Sequence, residues 1–160
     1  MPNPKNFAPN NAVNENYVID ANNPANVILY RFGDRNKPLD WLSRKRQANH
    51  GNYVRPSDSE LNDWAILQCS YGSKSENAEN NPFLSTATNY ADLFQNGEIW
   101  VQGILRQVPD VAEFSVPFDR VFRSSPTKTI SKTETEWVYY DGDEELLHWL
   151  VRFIDNPYKV

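Results

Sequence analysis

The chain has 160 residues, enough for one domain around one core. Its net charge of −5 argues against a general nucleic-acid binder, which needs a basic face, although Arg44-Lys45-Arg46 is a local basic patch. A single cysteine, Cys69, excludes an intrachain disulfide and a Cys-rich metal site; two histidines argue against a His-based zinc site, and no apolar run is long enough to span a bilayer.

Residues 1 to 26 are rich in Asn and Pro, which favours turns and extended chain, and are expected to be a flexible leader or linker. A short strand at Tyr17-Val18-Ile19 is compatible with that composition. The opening Met1-Pro2-Asn3-Pro4-Lys5-Asn6 lacks the apolar core of a secretory signal. That leaves a cytoplasmic protein, one exported without such a signal, or a piece of a larger chain. From residue 27 to 160 a single domain is expected.

Val27 to Phe32 is an apolar run with β-branched residues and reads as a buried strand, broken by Gly33-Asp34-Arg35-Asn36. Pro38 to Ala48 reads as a helix, with Pro in its first turn, basic residues late in it and Gly51 beyond its end. Ser57-Asp58-Ser59-Glu60 fits a capping box opening a second helix through Leu61, Trp64, Ala65 and Gln68. Residues 72–81 read as a loop, Phe83 to Thr86 as a short strand, and Asn89 to Phe94 as a helical turn.

Glu98 to Leu105, Ala112 to Val116, Asp119 to Phe122 and Trp137 to Tyr140 read as further strands. Residues 124–132 read as a polar loop. Leu146 to Ile154 fits helix or strand, with the alternation of Trp149, Val151 and Phe153 slightly favouring strand. Helices early and short strands later point to an α+β fold.

Three short motifs stand out in order. An Arg ends the first apolar strand in Leu29-Tyr30-Arg31. A Ser-Thr pair lies in Phe83-Leu84-Ser85-Thr86-Ala87. Glu134-Thr135-Glu136 precedes Trp137-Val138-Tyr139-Tyr140. Acidic residues at i and i+2 of an extended chain share one face, which is one way to hold two carboxylates at one reacting centre. Arg31, at the end of so apolar a strand, needs a partner.

With these motifs the chain resembles the mono-ADP-ribosyltransferase toxins of the cholera, heat-labile enterotoxin and pertussis type, from about Val27 to Phe153. Tyr30-Arg31-Phe32-Gly33-Asp34-Arg35 is similar to that family's Tyr-Arg-x-Asp-x-Arg start with one residue inserted. The departure is Ala87, where the family usually has Ser. The resemblance implies two packed, mainly antiparallel sheets with N-terminal helices and NAD in the cleft between. Arg31, Tyr30, Ser85 and Thr86 would form the NAD site, Arg31 at the phosphates. Ser85 would support the site and bond the catalytic Glu136, with Thr86 holding the strand backbone. Glu136 would stabilise the cationic ribose and Glu134 would orient or deprotonate the acceptor. In the family, Glu at the position of Glu134 accompanies arginine acceptors.

The resemblance implies NAD as co-substrate, no metal, and a protein acceptor in preference to a nucleic acid. It also implies a delivered effector acting in a target-cell cytoplasm, with an immunity or chaperone protein as partner. Two other readings stand beside it: an NAD glycohydrolase that lets water attack, and a non-enzymatic, aromatic-rich binding module. Each motif also has an ordinary reading: a surface Arg, a strand Ser-Thr pair and two solvated acids. Phe118, Phe122, Trp100 and Trp137 read as core rather than as ring-stacking partners of NAD. No Gly-rich phosphate loop occurs, and no nucleophile elbow accompanies His148 with Asp141 or Asp143. Cys69 reads as a buried thiol, and Arg44-Lys45-Arg46 as the favourable end of a helix.

Overall fold

A computed structural model of the chain describes residues 5–6, 17–48, 57, 59, 81–88, 90, 107–123 and 136–157. The apolar run expected at Val27 to Phe32 forms β2 (Asn26–Gly33), next in order after the two-residue β1 (Lys5–Asn6). Later runs form β3 (Phe83–Ala87), β4 (Asp110–Pro117), β5 (Val121–Arg123), β6 (Glu136–Tyr140) and β7 (Leu150–Asp155). Hydrogen bonding links them in the order β1-β5-β6-β3-β2-β4-β7. All pairings are antiparallel except that of β1 with β5. The described part is therefore poor in helix and dominated by one antiparallel sheet.

The pairing is uneven. β2 is matched to β4 along its whole length, from Asn26↔Pro117 to Gly33↔Asp110. β3 is matched to β6 from Phe83↔Tyr140 to Ala87↔Glu136. Between β2 and β3 the only matched pair is Tyr30↔Ala87. The sheet thus consists of two well-zipped parts joined at one point, β2-β4-β7 on one side and β3-β6-β5-β1 on the other.

Strand alternation sorts the residues. Val27 and Leu29 of β2, Leu84 of β3, Ala112, Phe114 and Val116 of β4, and Trp137 and Tyr139 of β6 pack together in the main core. Trp41, Phe118, Val121 and Leu146 close over them. A smaller cluster of Ala87, Val111, Tyr30, Phe32, Tyr90 and Ile154 lies apart from it. Phe118, Phe122 and Trp137 are all buried, in keeping with the core reading. Residues 17–20 run back along β2: Ile19 bridges Val27, and the Ile28 amide donates to the Val18 carbonyl at 2.9 Å. Tyr17 meets Phe118 and Trp137 at ring-centroid distances of 5.9 and 5.2 Å.

The helix expected over Pro38 to Ala48 is broken. A 3-10 turn occupies Pro38–Trp41, Leu42 is extended, and only Arg44–Ala48 forms α1. Ser43 causes the restart, because its Oγ accepts from the Arg46 amide at 3.2 Å as an N-cap does. The strand expected over Asp119 to Phe122 starts later, since Phe118–Arg120 is a 3-10 turn. The ambiguous end of the chain is both things in succession, a 3-10 turn at Leu146–Trp149 and then β7. The second helix, the strand over Glu98 to Leu105 and the 124–132 connector lie outside the described residues. No helix among the described residues is long and apolar enough to cross a membrane.

Candidate functional site

Arg31 sits one residue beyond the single junction of β2 with β3. Its backbone pairs with Ala112 of β4, so its position in the sheet is fixed on that side. On the other side the ladder has already ended, and the side chain takes over. Arg31 Nη1 donates to the Ser85 carbonyl at 2.9 Å and Nε donates to the Asp40 carbonyl at 3.1 Å. The guanidinium therefore links the end of β2, the middle of β3 and the 3-10 turn.

Both acceptors are neutral main-chain oxygens. Arg35 has Asp110 at 2.6 Å, Arg46 has Asp141 at 3.8 Å, Arg152 has Glu113 at 3.4 Å, and Arg120 pairs with Asp143. Among the described residues Arg31 has no carboxylate within ion-pair distance. Burial pushes its pKa down to about 10, against the pull of Asp40 and Asp141 acting through space. It stays protonated across the neutral range. A half-buried cation that pairs with no carboxylate among the described residues suits an anionic ligand.

The turn that receives Arg31 Nε is firmly held. Asp40 Oδ2 accepts from the Asp34 amide at 2.9 Å, and Trp41 Nε1 donates to the Asp34 carbonyl at 3.0 Å. Gly33 lies so close under the Trp41 ring that a Cβ there would be 2.9 Å from it. Further on, the Ser43 amide and hydroxyl donate to the two carboxylate oxygens of fully buried Asp141 at 2.7 and 2.6 Å. Burial raises the Asp141 pKa above its ordinary value, and the Ser43 hydrogen bonds pull it back down.

The other expected site residues fall on the same strands. Ser85 is half-buried in the middle of β3, opposite Val138. Thr86 is buried, and its Oγ1 donates to the Trp137 carbonyl at 2.8 Å, tying β3 to β6 in addition to the ladder. Glu136 opens β6 at the register position opposite Ala87. Ala87 in turn pairs with Tyr30, so Glu136, Ala87 and Tyr30 stand in one row across three strands. The Tyr30 ring meets Tyr90 edge-on at 5.7 Å, and burial together with Glu113 raises its pKa. Glu134 lies outside the described residues, as do Cys69, Trp100 and His50.

The backbone thus places Arg31, Ser85 and Tyr30 around the junction, with Glu136 one strand further; by alternation the positions of Tyr30, Ser85 and Glu136 share one face of the sheet and Arg31 belongs to the other, where its guanidinium reaches the Ser85 carbonyl. Sequence reading missed Asp40 and Asp141. Asp141 was weighed only beside His148, because its partner Ser43 lies far away in the sequence. His148 is exposed, 3.8 Å from Glu144, and packs edge-on against Trp149. No protein-family model matches the chain, and neither a curated protein nor a solved structure does.

Proposed function

We propose that the protein is an NAD-dependent mono-ADP-ribosyltransferase of the toxin type, transferring ADP-ribose to a macromolecular acceptor. One observation carries the reading: Arg31 is a half-buried cation at the point where the sheet parts, with carbonyls as its only partners among the described residues. The parting of β2 from β3 beyond Tyr30↔Ala87 also fits the split, two-sheet core that the resemblance implies.

In this reading NAD lies along the parting. Arg31 holds its diphosphate, since a guanidinium offers forked, charged donors to phosphate oxygens. The bond between nicotinamide and ribose C1′ breaks, and its electron pair leaves with nicotinamide. Positive charge develops on the ribose, and the carboxylate of Glu136 stabilises it. Ser85 supports Glu136 from the neighbouring strand. An acceptor nucleophile then bonds to C1′ and gives up a proton, with Glu134 orienting or accepting from it. An arginine side chain is the acceptor this pair of acids suits. Water in place of that acceptor would make the protein an NAD glycohydrolase, with the same cleft and the same Arg31.

Incubation with labelled NAD and a cell lysate, comparing wild type with Glu136→Gln, tests the reading. Label on a discrete protein, lost in the variant, supports transfer. Nicotinamide release without label makes water the acceptor. Neither label nor release sinks both.

A further inference from the structure

Asp141 immediately follows β6, the strand that Glu136 opens. Both of its carboxylate oxygens are held by Ser43, through the amide at 2.7 Å and the hydroxyl at 2.6 Å. Its carbonyl accepts from Arg46 Nε and Nη2 at 2.9 and 2.6 Å, and Arg46 Nη2 also reaches the Gly142 carbonyl at 3.3 Å. Ser43 joins the Pro38–Trp41 turn to α1. The same turn presents the Asp40 carbonyl to Arg31 Nε. A chain of contacts therefore runs from the end of β6 through Asp141, Ser43 and the turn to the guanidinium.

Burying a carboxylate is costly, and an apolar contact of the same volume often stabilises a fold as well or better. A buried acid with both oxygens bonded instead sets a position. We infer that Asp141 is a positioning residue for NAD binding: through Ser43 it fixes the turn whose Asp40 carbonyl aims the Arg31 guanidinium, and it ties that aim to the strand carrying Glu136. The inference rests on the NAD reading above. Losing the Asp141–Ser43 contact leaves the turn held from the Asp34 and Trp41 side alone, so the Asp40 carbonyl shifts relative to β6 while Arg31 keeps Ser85. The diphosphate loses its aligned donors before the chemistry at C1′ is affected.

The test uses the full chain with Asp141→Asn, Ser43→Ala, Ser43→Thr and the double variant Asp141→Asn/Ser43→Ala. Nicotinamide release gives kcat and KM for NAD, and melting temperature is followed in parallel. Asp141→Asn should raise KM about 10-fold, with kcat changed by less than about 3-fold. Ser43→Ala should shift KM the same way and less. The double variant should raise KM little beyond Asp141→Asn alone, because both substitutions act on the Asp141–Ser43 contact, while the Arg46 cap that Ser43→Ala also removes is read in the melting temperature. Ser43→Thr, which keeps the hydroxyl, should restore the wild-type KM.

A wild-type KM in folded Asp141→Asn overturns the inference. If that variant does not fold, a wild-type KM in Ser43→Ala overturns it equally, and a raised KM supports it. A wild type that releases no nicotinamide overturns the NAD reading itself, and this inference with it.

Discussion

Arg31 Nη1 donates to the Ser85 carbonyl at 2.9 Å across the gap where β2 and β3 cease to pair. A side chain there does the work of a missing ladder hydrogen bond, and a neutral carbonyl receives a charged donor. That contact fixes the guanidinium without neutralising it. It places the charge against the same β3 segment that carries the Ser-Thr pair.

Replacing Arg31 by Met should weaken binding of ADP-ribose by about 10- to 100-fold, since charge-assisted hydrogen bonds are worth roughly 1.5–3 kcal/mol. Calorimetric titration checks this, with circular dichroism to confirm that the variant folds. Equal affinity in wild type and variant would remove Arg31 from the phosphate site.

The affinity should also depend on pH in one direction. Burial sets Arg31 near 10, and under the proposed function only its protonated form would hold the diphosphate. Binding is therefore flat through the neutral range and falls as pH rises through about 10, by up to about tenfold per unit beyond it. In Arg31→Lys the fall should begin at lower pH, because the ammonium starts from about 10.4 and burial lowers it further. Titrations with ADP-ribose from about pH 7 to about pH 11 give both curves.

Gly33→Ala should destabilise the fold by about 1–3 kcal/mol, because the new methyl meets the Trp41 ring at 2.9 Å. Trp41 is fully buried and cannot swing aside freely. The shift would pass to the turn that holds Arg31, so weaker ADP-ribose binding should accompany the lower urea midpoint.

Thr86→Val keeps the shape and removes the donor to the Trp137 carbonyl, leaving that buried oxygen short of a partner. A loss of about 1–3 kcal/mol in urea unfolding is expected. Thr86 is buried and its hydroxyl is spent on β6, so the KM of the folded variant should stay near wild type.

Much of the sheet was legible because its strands are short apolar runs with β-branched residues. Val27 to Phe32 and Trp137 to Tyr140 are plain examples, each found within a residue or so of its expected bounds. The break in Pro38 to Ala48 was not legible, since Ser43 stops and restarts the helix and its partner Asp141 lies far along the chain. At the end of the chain, sequence pattern left helix and strand open because a 3-10 turn and a strand follow each other within Leu146 to Ile154. For the site, the need of Arg31 for a partner could be read from its apolar strand. That the partners are carbonyls, with no carboxylate among the described residues, depends on where β2 and β3 part, and no local pattern encodes that.

The central claim is that this junction cleaves NAD with Glu136 as the stabilising carboxylate. Nicotinamide release from NAD, measured for wild type and for folded Glu136→Gln, tests it most directly. The account predicts release by wild type and a rate at least about 100-fold lower in the variant, with ADP-ribose binding retained. Equal rates in the two proteins, or no release and no ADP-ribose binding by wild type, would contradict it.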